Sequence, residues 1–74
     1  MQIKQLLNYF AEDTFVVIKT IMVEEGTKKF HILLSMPIKD IKELQDYYGS
    51  ILDKNIGSGQ VSIQNNTLYI EFFD

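Results

Sequence analysis

Residues 15–36 read FVVIKTIMVEEGTKKFHILLSM, and this stretch decides the fold. Two runs rich in β-branched and aromatic residues flank Glu24-Glu25-Gly26-Thr27, whose glycine admits the positive φ of a tight hairpin turn. With those four residues as the turn, or the inner Glu25-Gly26 pair as a two-residue one, Val23 stands opposite Lys28 and Ile21 opposite Phe30. Alternation then sorts the side chains onto two faces. One carries Phe15, Val17, Ile21, Val23, Phe30, Ile32, Leu34 and Met36, with Lys19 the exception. The other carries Val16, Ile18, Thr20, Met22, Lys29, His31, Leu33 and Ser35.

A shorter pair follows near the end of the chain. Gln60–Gln64 and Thr67–Phe73 flank Asn65-Asn66, a dipeptide suited to positive φ. That turn pairs Ile63 with Leu68 and Val61 with Ile70, so these four and Phe72 share an apolar face. Ser62, Gln64, Thr67, Tyr69, Glu71 and Phe73 form its reverse.

Each hairpin follows a segment of helical periodicity. Residues 3–11 read IKQLLNYFA and residues 41–49 read IKELQDYYG, an offset of 38. Ile3, Leu6, Leu7 and Phe10 make the first apolar stripe, and Ile41, Leu44, Tyr48, Ile51 and Leu52 the second. Ile, Lys and Leu are common in this chain, so chance similarity is the competing account. Pro37 cannot donate to a ladder; it closes the second strand and suits the first turn of the second helix. Gly57-Ser58-Gly59 reads as the connection into the third strand.

The expected fold is α+β and two-layer: an internally duplicated α-β-β / α-β-β arrangement, with an antiparallel four-stranded sheet under two helices. It is expected to form a single small domain over residues 1–74, with pseudo-repeat units 1–36 and 38–74. The first-named faces of the two hairpins should join beneath the helices. Strand order across the hairpins is left open. Leu44→Ala, at an expected core position, should cost about 2–5 kcal/mol.

Composition narrows function by exclusion. The chain has 74 residues, with 7 Lys and Arg against 10 Asp and Glu, a net charge of −3. That balance argues against binding through nucleic-acid phosphates, which needs clustered cations. Hydrophobic residues make up 46% of the chain, too many for a disordered segment. With no Cys and one His, thiolate chemistry and His-based metal sites lack their ligands, and no cofactor is expected. The single imidazole, His31, lies mid-strand between Phe30 and Ile32, where half-buried packing is the ordinary role. Ser35, Ser50, Ser58 and Ser62 lack a nucleophile-elbow context. Gly57-Ser58-Gly59 lacks the lysine of a phosphate-binding loop. The chain is therefore not expected to be an enzyme.

The amino-terminal segment lacks the pattern of a signal peptide, and no run approaches the roughly 18 apolar residues of a membrane span. A cytoplasmic protein with no membrane association is expected. Abundant Ile, Lys, Phe, Tyr and Asn, with no Arg, one Ala and one Pro, suggest an AT-rich genome: a low-GC bacterium, or a phage or plasmid within one.

Two surfaces remain as candidates for recognition. The reverse face of the sheet would expose Val16, Ile18, Met22, His31 and Leu33, joined by Tyr69 and Phe73. A second copy, another protein or one of the helices could cover that apolar patch. Asp40, Glu43 and Asp46 form an acidic ridge, which Lys39 and Lys42 can pair as an ordinary solvated helix face. Tyr9 and Tyr47, at equivalent repeat positions, rim the helices. Together these suggest a non-catalytic protein-interaction module, plausibly an inhibitor or regulator of a host or defence enzyme carried by a mobile element. The expected partners are another protein, a second copy, or both. A dimer trapping a nucleotide near His31, Tyr69 and Lys29 is the alternative. A single-stranded nucleic-acid binder stacking bases on Tyr69 and Phe73 is a weaker one, for want of a basic groove.

Overall fold

The backbone enters the left-handed region at both hairpin turns: φ is 51° and 79° at Glu25 and Gly26, and 52° and 58° at Asn65 and Asn66. Positive φ at both central residues defines the two-residue turn whose twist matches the strands it joins. Each dipeptide closes its hairpin in the register expected from the sequence. Ile21 faces Phe30 and Val23 faces Lys28 in the first; Ile63 faces Leu68 and Val61 faces Ile70 in the second.

The computed structural model describes residues 1–56 and 60–73, with Gln60 and Phe73 described by their backbone alone. The Gly57-Ser58-Gly59 connection lies outside the described residues. Chain order is α1 (Ile3–Leu7), β1 (Phe15–Glu24), β2 (Thr27–Pro37), α2 (Ile38–Glu43), α3 (Gly49–Leu52), β3 (Gln60–Gln64) and β4 (Thr67–Phe73). The fold is α+β, with short helices packed on one face of a four-stranded sheet.

The sheet is mixed rather than wholly antiparallel. Its order is β2-β1-β4-β3, and β1 runs parallel to β4, with Val16 beside Leu68 and Ile18 beside Ile70. This order does not confirm the expected duplication. In a repeat, β1 would correspond to β3 and β2 to β4, yet β1 and β4 are the inner strands while β2 and β3 are the edges. The resemblance between residues 3–11 and 41–49 is seen in the sequence and in the turn that follows each helix.

The second helix also departs from expectation. The stripe from Ile41 to Leu52 breaks into α2 and α3, separated by a turn in which the Tyr47 N–H donates to the Leu44 carbonyl at 2.9 Å. Asp46, Tyr47, Tyr48 and Gly49 are weak helix formers, so little local energy opposes the break. Leu52 is buried as a result, whereas Leu44 remains 45% exposed and is not the core residue expected. Pro37 ends β2 and caps α2 with φ −65° and ψ 154°. The first N–H groups of α2 are satisfied by the α1–β1 connection, Ile38 donating to the Thr14 carbonyl and Lys39 to that of Glu12, both at 3.0 Å. The amino terminus is stitched to the end of α3 by Ile3 N–H to the Lys54 carbonyl (3.0 Å) and Ile56 N–H to the Met1 carbonyl (2.7 Å).

One buried cluster joins the layers: Ile3 and Leu7 from α1, Ile38 and Ile41 from α2, Leu52 from α3, and Val16, Ile18, Leu34, Leu68 and Ile70 from the sheet. The face of β1 expected to lie open is therefore the covered one. Val16 and Ile18 are fully buried, and Leu33 packs against the cluster. The cause is visible in the ladder. Ile18 pairs with Leu34 but Lys19 pairs with Ile32, leaving Leu33 as an extra residue on β2. A bulge of this kind reverses side-chain parity along the strand that holds it. Leu34 and Met36 thereby join Val16 and Ile18 beneath the helices, while Phe30 and Ile32 fall on the opposite face.

Candidate interaction surface

Alternation along β1 sets Phe15, Val17, Lys19, Ile21 and Val23 on the side away from the helices. Register adds Phe30 and Ile32 from β2, and Tyr69 and Glu71 from β4. Phe30 is 56% and Ile32 66% exposed; Val23 is exposed next to Phe30, while Phe15 is exposed at the far end of β1, opposite Pro37. Ile21, in register with Phe30 and with Phe73, is only 7% exposed although it faces away from the helices. The surface is an apolar field with a shielded centre.

Its charges are largely settled internally. Lys19 Nζ lies 3.2 Å from Glu71 Oε1, across the two inner strands, and both side chains are partly buried. The same ammonium sits 5.4 Å from the centroid of the Phe30 ring, a cation–π distance. Lys28, opposite Val23 at the hairpin tip, is the remaining charged residue among the described strand positions of this face. Apolar area around a neutralised ion pair suits contact with another protein surface.

The expected interaction residues come together only in part. Val16 and Ile18 are core, and Leu33 lines its edge. Met22 and His31 lie on the helix side, at the end of the β1–β2 hairpin that the helices leave uncovered. There they meet Leu33, and with Thr20, Glu24, Ile51 and Lys54 the three line an open cleft of about 600 Å³. Tyr69 is half-buried on the opposite face, in register with Val17. Phe73 ends β4, and its side chain lies outside the described residues. With Tyr69 on one face and His31 and Lys29 on the other, the three residues of the nucleotide alternative do not converge.

The acidic ridge is divided as well. Asp40 and Glu43 belong to α2, but Asp46 follows in the turn. Tyr9 and Tyr47 are largely exposed. Each follows a helix end in the same local turn, Tyr9 N–H donating to the Leu6 carbonyl at 3.0 Å as Tyr47 N–H does to Leu44. Tyr47 packs edge-on against Tyr48, ring centroids 4.8 Å apart. A groove of about 390 Å³ between α1 and α2–α3 has Leu7, Ile41 and Leu52 as its floor. Its rim lysines are already paired: Lys4 with Asp53 at 2.8 Å, Lys42 with Glu12 at 3.4 Å. Among the described residues, no three His, Asp or Glu side chains group to hold a metal ion. No helix among the described residues is long and apolar enough to cross a membrane.

Sequence reasoning missed the exposed face, although it held a signal. Lys19 interrupts an otherwise apolar row in mid-strand, and a charged residue there marks the face that water reaches. Glu71, of opposite parity to Leu68 and Ile70, marks the same side of β4. Comparison of the chain with protein-family models, curated proteins and solved structures finds no match, so the surface is interpreted from its own chemistry.

Proposed function

We propose that this chain is a non-catalytic protein-interaction module. The observation that carries the reading is the helix-free face of the sheet, where Val23, Phe30 and Ile32 are exposed about the Lys19–Glu71 pair and Phe15 is exposed at the far end of β1. Contiguous apolar patches of this kind on small proteins are commonly contact surfaces. The narrower reading is an inhibitor or regulator of a host or defence enzyme, encoded by a mobile element of an AT-rich genome and acting in the cytoplasm. It draws support from the acidic balance, the codon bias of the composition and a residue inventory poor in nucleophiles and metal ligands.

Affinity capture tests the proposal. Immobilised wild-type chain, loaded with lysate of a low-GC bacterium, is expected to retain one dominant protein identifiable by mass spectrometry. Ile32→Asp, on the apolar face, should abolish retention, while Lys39→Gln on α2 should not. Recovery of nothing at high loading, or equal retention by wild type and Ile32→Asp, overturns this function for the face.

A further inference from the structure

We infer that the helix-free sheet face is covered by a second copy of this chain, in an isologous dimer whose β1–β2 halves stack face to face. The inference rests on reading that face as an interaction surface and names its occupant. Extent is the first argument. Four strands about 4.8 Å apart, of which β1 and β2 run 10 and 11 residues and β4 and β3 only 7 and 5, give an outer face of at most about 20 × 30 Å, with β1 and β2 supplying more than half of it. A peptide or small ligand would leave most of it wet. Another sheet face, packing about 10 Å away, matches its shape and size, and a second copy supplies one of equal extent and twist. Even the whole face stays below the ~800 Å² per partner of a standard interface, and the β1–β2 half covers less, which fits weak, reversible association rather than an obligate dimer.

Charge is the second argument. The chain carries −3, so two copies repel unless their acids are kept apart. Asp40 and Glu43 on α2, Glu12 against Lys42, and Asp53 against Lys4 all belong to the helical layer and point the dimer's charge outward. On the sheet face, Glu71 is neutralised by Lys19 at 3.2 Å. Among the described residues, stacking two copies there brings no unpaired carboxylates together, and Lys28 at the hairpin tip is the one further charge each copy adds. An isologous contact across β1 and β2 also sets apolar Phe30 and Ile32 against the same residues of the other copy. The polar edge strand β3, with Ser62 and Gln64 on this face, is left at the rim.

Sedimentation equilibrium of the purified chain decides the matter. Between about 1 and 500 µM the wild type should shift from one to two chain masses, with a Kd in the range of about 10–100 µM. Ile32→Asp and, separately, Phe30→Lys should raise that Kd at least about tenfold. Both positions are solvent-exposed in the single chain, and circular dichroism matching the wild type confirms that each variant folds. Leu44→Asp, on the helix side, should leave the association unchanged. A wild-type chain of single mass at the highest concentration overturns the inference, as does a dimer broken by Leu44→Asp but not by Ile32→Asp. A monomeric wild type that still captures a partner through Ile32 removes the second copy as occupant and leaves the proposed function standing. A dimer dissolved by Ile32→Asp, with no protein captured, does the reverse.

Discussion

The two faces of β1 are made of nearly the same material and have opposite fates. Val16 and Ile18 are fully enclosed by the helices, whereas Phe15 and Val23, equally apolar, look outward. Hydrophobicity alone did not choose between them. The choice came from β4, whose single apolar row, Leu68 and Ile70, must be buried and lies in parallel register with Val16 and Ile18. An inner strand apolar on both sides adapts to whichever neighbour is less flexible.

Four measurements would break or sharpen that contrast. The largest effect is expected at Ile18: Ile18→Ala should cost about 2–5 kcal/mol in chemical denaturation, while Ile32→Ala on the outer face stays within about 0.5 kcal/mol for the monomer. Equal costs would mean that the faces are wrongly assigned. Deleting Leu33 comes next. Removal of the bulge residue should convert β1–β2 into a regular ladder with Leu34 still beneath the helices, losing only Leu33's partial packing, about 1–2 kcal/mol. Complete unfolding of that variant would show that the bulge serves more than register.

Leu44→Ala should cost less than about 1 kcal/mol, well below the value expected for a core residue, because its side chain is already 45% in solvent. A loss above about 2 kcal/mol would restore a continuous second helix. The smallest effect concerns ion pairs. A double-mutant cycle on Lys19 and Glu71 should give a coupling of up to about 1 kcal/mol that persists in salt, since both side chains are partly buried. The exposed Lys4–Asp53 pair should give only a few tenths, vanishing at high ionic strength.

Much of the local structure was legible. Glu25-Gly26 and Asn65-Asn66 announced two-residue turns, and both hairpin registers followed. Ile3, Leu7, Ile41 and Leu52 were recognised as core by spacing. The candidate surface was not, because its assignment passed through two nonlocal facts. The extra Leu33 reverses parity halfway along β2, and no dipeptide preference marks its place. The pairing of β1 with β4 joins residues about fifty positions apart, which periodicity does not encode. Hence Val16, Ile18 and Leu33 were expected outside and are inside, while Phe30 and Ile32 were expected inside and are outside.

What the sequence determined by itself is whatever a few adjacent residues can enforce: where the chain reverses, which residues face each other across a turn, and where proline ends a strand. Those follow from dihedral sterics and short-range alternation. Tertiary structure alone decided the strand order, the break in the second helix and which greasy side of β1 meets the helices. Each of these compares the burial of one surface with that of another far away in the chain, and that comparison exists only once the layers have met.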